Sequence, residues 1–102
     1  MPSSAFTFEA ELWEHDGPTA WFFVSLPEDV ADDIEAEHGH RAKGFGSVRV
    51  EGEVGSTAWA TSIFPDTKRG TYVLPIKQQV RRAEGLTAGS RLGLRLTVVD
   101  SP

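Results

Sequence analysis

Three segments of this chain alternate apolar and polar residues with a period of two, and that pattern limits the possible folds more than any other feature. Phe6, Phe8, Ala10 and Leu12 alternate with Thr7, Glu9, Glu11 and Trp13. Val48, Val50, Gly52 and Val54 alternate with Arg49, Glu51 and Glu53. Leu92, Leu94, Leu96 and Val98 alternate with Arg91, Gly93, Arg95 and Thr97. Successive strand side chains point to opposite faces, so each segment reads as a strand with one face in a core and the other in solvent.

The remaining elements follow from turn residues and local composition. Asp16-Gly17-Pro18 is turn chemistry, and the run Ala20 to Leu26 after it, aromatic and β-branched, reads as a strand buried on both faces. Residues 57–64 and 71–74 add two more strands around the turn from Pro65 to Gly70. A short helix over 28–38 carries Val30, Ala31 and Ile34 as its apolar stripe. It follows Pro27, takes Ser25-x-x-Glu28 as a capping box and ends at Gly39. Residues 39–46 form a glycine-rich loop. A second helix over 76–84 presents Ile76, Val80 and Ala83 and closes at Gly85.

The order is ββαβ followed by ββαβ. Leu26-Pro27 recurs as Leu74-Pro75, and Thr19-Ala20-Trp21 as Thr57-Ala58-Trp59, which predicts matching core positions for Trp21 and Trp59. Each half alone leaves an apolar face uncovered, and pairing the halves covers both. The expectation is one domain over residues 1–102, mainly β with two short helices (α+β): a six-stranded barrel with pseudo-twofold symmetry.

Two stretches carry a family resemblance. One is Gly44-Phe45-Gly46-Ser47-Val48-Arg49-Val50. The other runs from Trp59-Ala60-Thr61-Ser62-Ile63-Phe64-Pro65-Asp66 through Tyr72-Val73-Leu74-Pro75-Ile76-Lys77 to Val80-Arg81-Arg82-Ala83-Glu84-Gly85-Leu86 and Gly89. With the Phe8 to Trp13 pattern and Trp21 to Pro27, the chain resembles the bacterial family called domain of unknown function 1905 over nearly its whole length. The resemblance implies a double-split β-barrel and carries no activity, substrate or catalytic residue. The part from Leu74-Pro75 to Gly89 and the following strand is also similar to the half-barrel of swapped-hairpin transcription regulators and antitoxins, in which two chains make one DNA-binding barrel.

Charge narrows the function classes. Net charge is −5. Residues 1–40 hold ten acidic groups and no Lys or Arg, whereas residues 41–102 hold all ten basic groups and five acidic ones. Phosphate binding needs clustered cations. Lys68, Arg69, Lys77, Arg81, Arg82, Arg91 and Arg95 offer some, but the helix over 28–38 is acidic and repels phosphate, which ranks a nucleic-acid-binding regulator as the alternative. An uncharacterised enzyme is a further alternative. His15 beside Asp16 is a weak acid/base pair, His38-x-His40 near Glu37 is a loose metal pattern, and Gly44-x-Gly46 lacks the third glycine of a dinucleotide fingerprint. No catalytic residue, metal or cofactor is expected.

The absence of Cys removes thiolate chemistry and fits a reducing compartment. Met1-Pro2-Ser3-Ser4 has no signal-peptide pattern, and no apolar run is long enough to span a bilayer. The expected location is cytoplasmic. The reading that remains is a non-catalytic binding or interaction domain, a monomer or weak homo-oligomer, engaging an anionic small molecule or a protein. Tyr72, Lys77, Arg81 and Arg82 are its candidate ligand-binding residues, since a phenol and cations suit a carboxylate or phosphate. Trp13, on the polar face of its strand, is a candidate exposed contact.

Overall fold

The computed structural model describes residues 5–18, 21–38 and 46–99. Among these residues, seven strands and two helices follow in the order β1 (Ala5–Glu11), β2 (Trp13–His15), β3 (Trp21–Ser25), α1 (Glu28–His38), β4 (Val48–Val54), β5 (Thr57–Asp66), β6 (Thr71–Pro75), α2 (Gln78–Glu84) and β7 (Arg91–Val98). The chain is therefore mainly β with two helices, and its strands form one antiparallel sheet in the order β1-β7-β4-β5-β6-β3-β2.

Seven strands stand where the alternation predicts six, because the first is divided at Leu12. Residues 5–11 pair with β7, and residues 13–15 pair with β3 at the other edge of the sheet. Between them the Leu12 N–H donates to the Ser90 carbonyl, and the Leu12 carbonyl accepts from the Gly89 N–H. The chain thus hands itself from one edge to the other through a single residue, and the sheet curls until those edges meet. β5 is divided in the same way without a break: Thr57 to Ile63 pair with β4 and Phe64 to Asp66 with β6.

The core lies inside the curl. Leu12, Val24, Val50, Ile63, Leu74, Leu92 and Leu96 are fully buried there, together with Ile34 from α1 and Val80 from α2. Trp59 lies over Gly52, its register partner on β4. A Cβ at that glycine would stand 3.0 Å from the indole, so the ring occupies the space a side chain would need.

Both prolines lead into helices, as the sequence suggests, but the local caps differ. Ser25 stays in β3 and its hydroxyl is taken by Trp13, so no capping box forms. The Pro27 carbonyl accepts from the Ala31 N–H instead. α2 starts at Gln78 rather than Ile76, because the Ile76 N–H is still bonded to the Phe22 carbonyl of the sheet. Gly85 ends α2 at φ 64°, a left-handed conformation, and the Leu86 N–H closes back on the Arg81 carbonyl. The expected helix end at Gly39, and most of the loop that follows, lie outside the described residues.

The matched tryptophans are a correction. Trp59 is 6% exposed in the core, whereas Trp21 is 51% exposed on the opposite face of the sheet. β3 has the core on one side only. Phe22 and Val24 take that side, and Trp21 and Phe23 are turned away from it.

Candidate functional site

The register of β2 on β3 places Trp13 opposite Phe23 and His15 opposite Trp21. All four side chains share the face turned away from the core, because Leu12, Phe22 and Val24 hold the other. Their rings form a small array. The Trp21 and Phe23 rings are stacked within 11° of parallel, with centroids 6.0 Å apart. Trp13 tilts against Phe23 at 5.1 Å, and His15 meets Phe23 edge-on at 6.3 Å. The Trp13 indole N–H donates to the Ser25 hydroxyl at 3.0 Å, which fixes the ring along the strand.

β6 and β5 extend this face. Val73 and Pro75 pair with Ser25 and Phe23, and Phe64 pairs with Val73. Val73 is only 7% exposed yet lies outside the core cluster, so it is covered from the outer side of the sheet. Phe64 is 41% exposed. Arg69 lies 3.8 Å above the Trp13 ring and 3.5 Å from Oδ2 of the Asp66 carboxylate, whose other oxygen, Oδ1, accepts the backbone N–H groups of Lys68 and Arg69. The result is an aromatic and aliphatic outer face, rimmed by one fixed guanidinium, with an open Trp21 ring at its end.

The residues proposed from sequence take other positions. Tyr72 points into the core side and is 5% exposed, and its hydroxyl donates to a Glu35 carboxylate oxygen on α1 at 2.8 Å. Burial first, then the hydrogen bond to Glu35 and the charge of that carboxylate, push the phenol up to about 12. A carboxylate at the hydroxyl is the wrong neighbour for an incoming anion. Arg81 lies 3.9 Å above the Phe22 ring and donates through Nε to the Ile76 carbonyl at 3.1 Å. Lys77 precedes α2, its carbonyl accepting the Val80 and Arg81 N–H groups, and its side chain is exposed, as is that of Arg82. No hydrogen bond or ion pair joins Tyr72 to Lys77, Arg81 or Arg82 among the described residues.

A shallow open groove of about 460 Å³ crosses the outer face of β1, β7 and β4, with Gly93 as its floor and Thr7, Glu9, Glu53 and Arg95 beside it. Its walls mix both signs of charge. Among the described residues no group of three His, Cys, Asp or Glu side chains could hold a metal ion. His40 and the side chain of His38 lie outside the described residues. No helix among the described residues is long and apolar enough to cross a membrane.

Sequence reasoning missed the outer face because it gave the run from Ala20 to Leu26 two buried sides. The signal was present in the hairpin. Once Trp13 is placed on the polar face of its strand, any pairing of Trp13 with Phe23 forces Trp21 and His15 onto the same face.

Compared with known families, residues 8–96 match the family model described as Domain of unknown function (DUF1905). No curated protein matches this chain.

Proposed function

The chain belongs to that family, whose description names no activity, and we propose from its own surfaces that it is a binding module engaging a protein partner through the outer face of β2, β3 and β6. The observation that carries this reading is Trp21, half-exposed on a stack with Phe23 and continuous through it with Trp13, over which Arg69 lies. Exposed apolar patches of this kind mark interaction sites. Aromatic residues and Arg are the types enriched where protein interfaces concentrate their energy.

A protein fits this face better than the anionic small molecule expected at Tyr72, whose hydroxyl is held by Glu35. It also fits better than nucleic acid. The chain carries −5 overall, and Arg69 is already engaged by Asp66 and Trp13. As part of the same reading we take the curl for a double-split barrel built from two ββαβ units. The divided pairing of β5, which mirrors that of β1 and β2, supports this.

Photo-crosslinking in living cells tests the surface. A photoreactive phenylalanine analogue replaces Trp21 in one variant and Glu51, on the outer face of β4, in another. The expected result is protein adducts from position 21 well above those from position 51. Equal labelling at the two positions removes the proposed face.

A further inference from the structure

We propose that the partner engages this face with a short acidic segment, one carboxylate of which meets Lys77 while an aromatic side chain beside it covers Trp21; this rests on the protein-binding reading above. The register places Lys77. β3 and β6 pair from Ser25 with Val73 to Phe23 with Pro75, and the Ile76 N–H continues the ladder by donating to the Phe22 carbonyl at 2.8 Å. One further step sets Lys77, still extended at φ −72° and ψ 163°, opposite Trp21. Ile76 is 1% exposed on the core side, so the exposed Lys77, next in the alternation, is turned to the outer face with Val73 and Pro75. His15 pairs with Trp21 from the other side. An imidazole, an open indole and an ammonium therefore stand in one row across the face.

Charge then selects the occupant. Besides His15, the register gives Asp66 and Lys77 to this face, Asp66 sharing it with Phe64 through the β5–β6 pairing. Asp66 is matched by Arg69 at 3.5 Å, and Arg69 also covers Trp13. The Lys77 ammonium makes no hydrogen bond or ion pair among the described residues. Glu14 pairs with Phe22 and so belongs to the opposite face, and Asp16 lies past the last pair of the hairpin. Glu28, Asp29 and Lys68 stand at the Ser25 end, at least the length of β3 from Trp21, roughly 13 Å. The uncompensated charge in the row of the open ring is thus a cation, and a carboxylate complements it.

Size and net charge set the rest. Three strands of five residues span roughly 14 by 17 Å, well below the ~800 Å² per partner of a standard interface, so the face suits a few residues of extended chain rather than a folded domain. A net charge of −5 opposes a polyanion, which limits the segment to isolated carboxylates. Trp21 is backed by Phe23 on one side, and its open side accepts another ring in the same stacked manner.

NMR titration of the full chain with a blocked peptide, acetyl-Gly-Ser-Phe-Glu-Ser-Gly-amide, tests this through the indole N–H signals of the three tryptophans. The Trp21 signal should shift with a dissociation constant on the order of 1 mM, and the signal of the buried Trp59 should stay in place. Gln for Glu in the peptide should weaken binding about threefold, and Lys77→Glu by at least as much. A peptide with Lys for Glu should recover binding to Lys77→Glu. Trp21→Ala, followed through the backbone signal of Phe23, should weaken binding about tenfold. Lys77→Gln serves as the second variant. In cells, Lys77→Glu should lower the protein adducts from a photoreactive position 21 about threefold.

No movement of the Trp21 signal up to about 10 mM peptide overturns the acidic segment. So does equal affinity for the Glu and Gln peptides, or binding that ignores both Lys77→Glu and Lys77→Gln. Displacement of the peptide by an equal concentration of inorganic phosphate also overturns it, by assigning Lys77 to a free anion. A single-stranded oligonucleotide that binds more tightly than the peptide does the same, by assigning Trp21 to stacked bases. Position-21 adducts that persist undiminished in Lys77→Glu remove the acidic segment and leave the protein-binding face. Adducts from position 21 no higher than those from position 51 remove both.

Discussion

At the scale of single residues, Tyr72 is an internal fastener. Its hydroxyl joins β6 to α1 through Glu35, and burial beside that carboxylate holds the proton on the phenol up to about 12. The sign follows from linkage. The folded-state value lies above the ordinary 10.0, so the native state holds the proton more tightly than the unfolded chain does. The resulting stabilisation is complete below pH 10 and is lost as pH rises towards 12. Tyr72 is the only tyrosine, so ultraviolet absorbance against pH reads this group alone. The expected midpoint is near 12, and Glu35→Gln should lower it. A midpoint near 10 in the wild type would show that the contact is not made in solution. Tyr72→Phe should lose about 1 kcal/mol at neutral pH, because the Glu35 carboxylate is exposed and finds water when the hydroxyl goes.

At the scale of elements, legibility in the sequence depended on whether one face or two had to be assigned. Val48 to Val54 alternates without exception, and β4 has those bounds. The apolar stripe of Val30, Ala31 and Ile34 placed α1 over residues 28–38 as observed. Alternation does not say which neighbour a strand bonds to, so the hand-over at Leu12 was invisible in the sequence. It depends on the Ser90 and Gly89 backbone groups, far along the chain. The run from Ala20 to Leu26 is apolar at both parities, and only its pairing partners decide that Trp21 faces outward.

α2 shows how a short element is held by more than its own residues. A helix of seven residues is marginal alone. It is fastened by the left-handed Gly85, by the hydrogen bond from the Thr57 hydroxyl to Glu84 at 2.6 Å, and by Arg81, which covers Phe22 and bonds the Ile76 carbonyl. Arg81→Ala should therefore destabilise the fold by about 1 kcal/mol in urea unfolding, the sum of a modest cation–π contact and one hydrogen bond. Arg81→Lys should recover less than half of that, since an ammonium supplies neither the planar stack nor the Nε donor. An unchanged midpoint for Arg81→Ala would return this side chain to the list of candidate ligand contacts.

At the scale of the whole molecule, the charge division in the sequence is only partly a division in space. β1, from the acidic half, pairs along its length with β7 from the basic half, and Arg91 meets Glu9 at 3.1 Å on the surface. Such an exposed pair contributes little to stability, but it shows that the two halves interleave. The core does the same: one continuous cluster takes residues from all the longer strands and from both helices. Neither half can therefore unfold while the other keeps its interior, and the chain should unfold as a single cooperative unit. The three tryptophans allow this to be checked. Trp59 is sealed in the core, whereas Trp13 and Trp21 lie on the outer face. With Trp13→Phe and Trp21→Phe in place, fluorescence follows the interior alone and far-ultraviolet circular dichroism follows the sheet. The two urea transitions should share one midpoint and one slope. If fluorescence moved first, the interior would be opening ahead of the sheet, and the curl would be held by its hydrogen bonds and the Leu12 hand-over rather than by the packed cluster inside it.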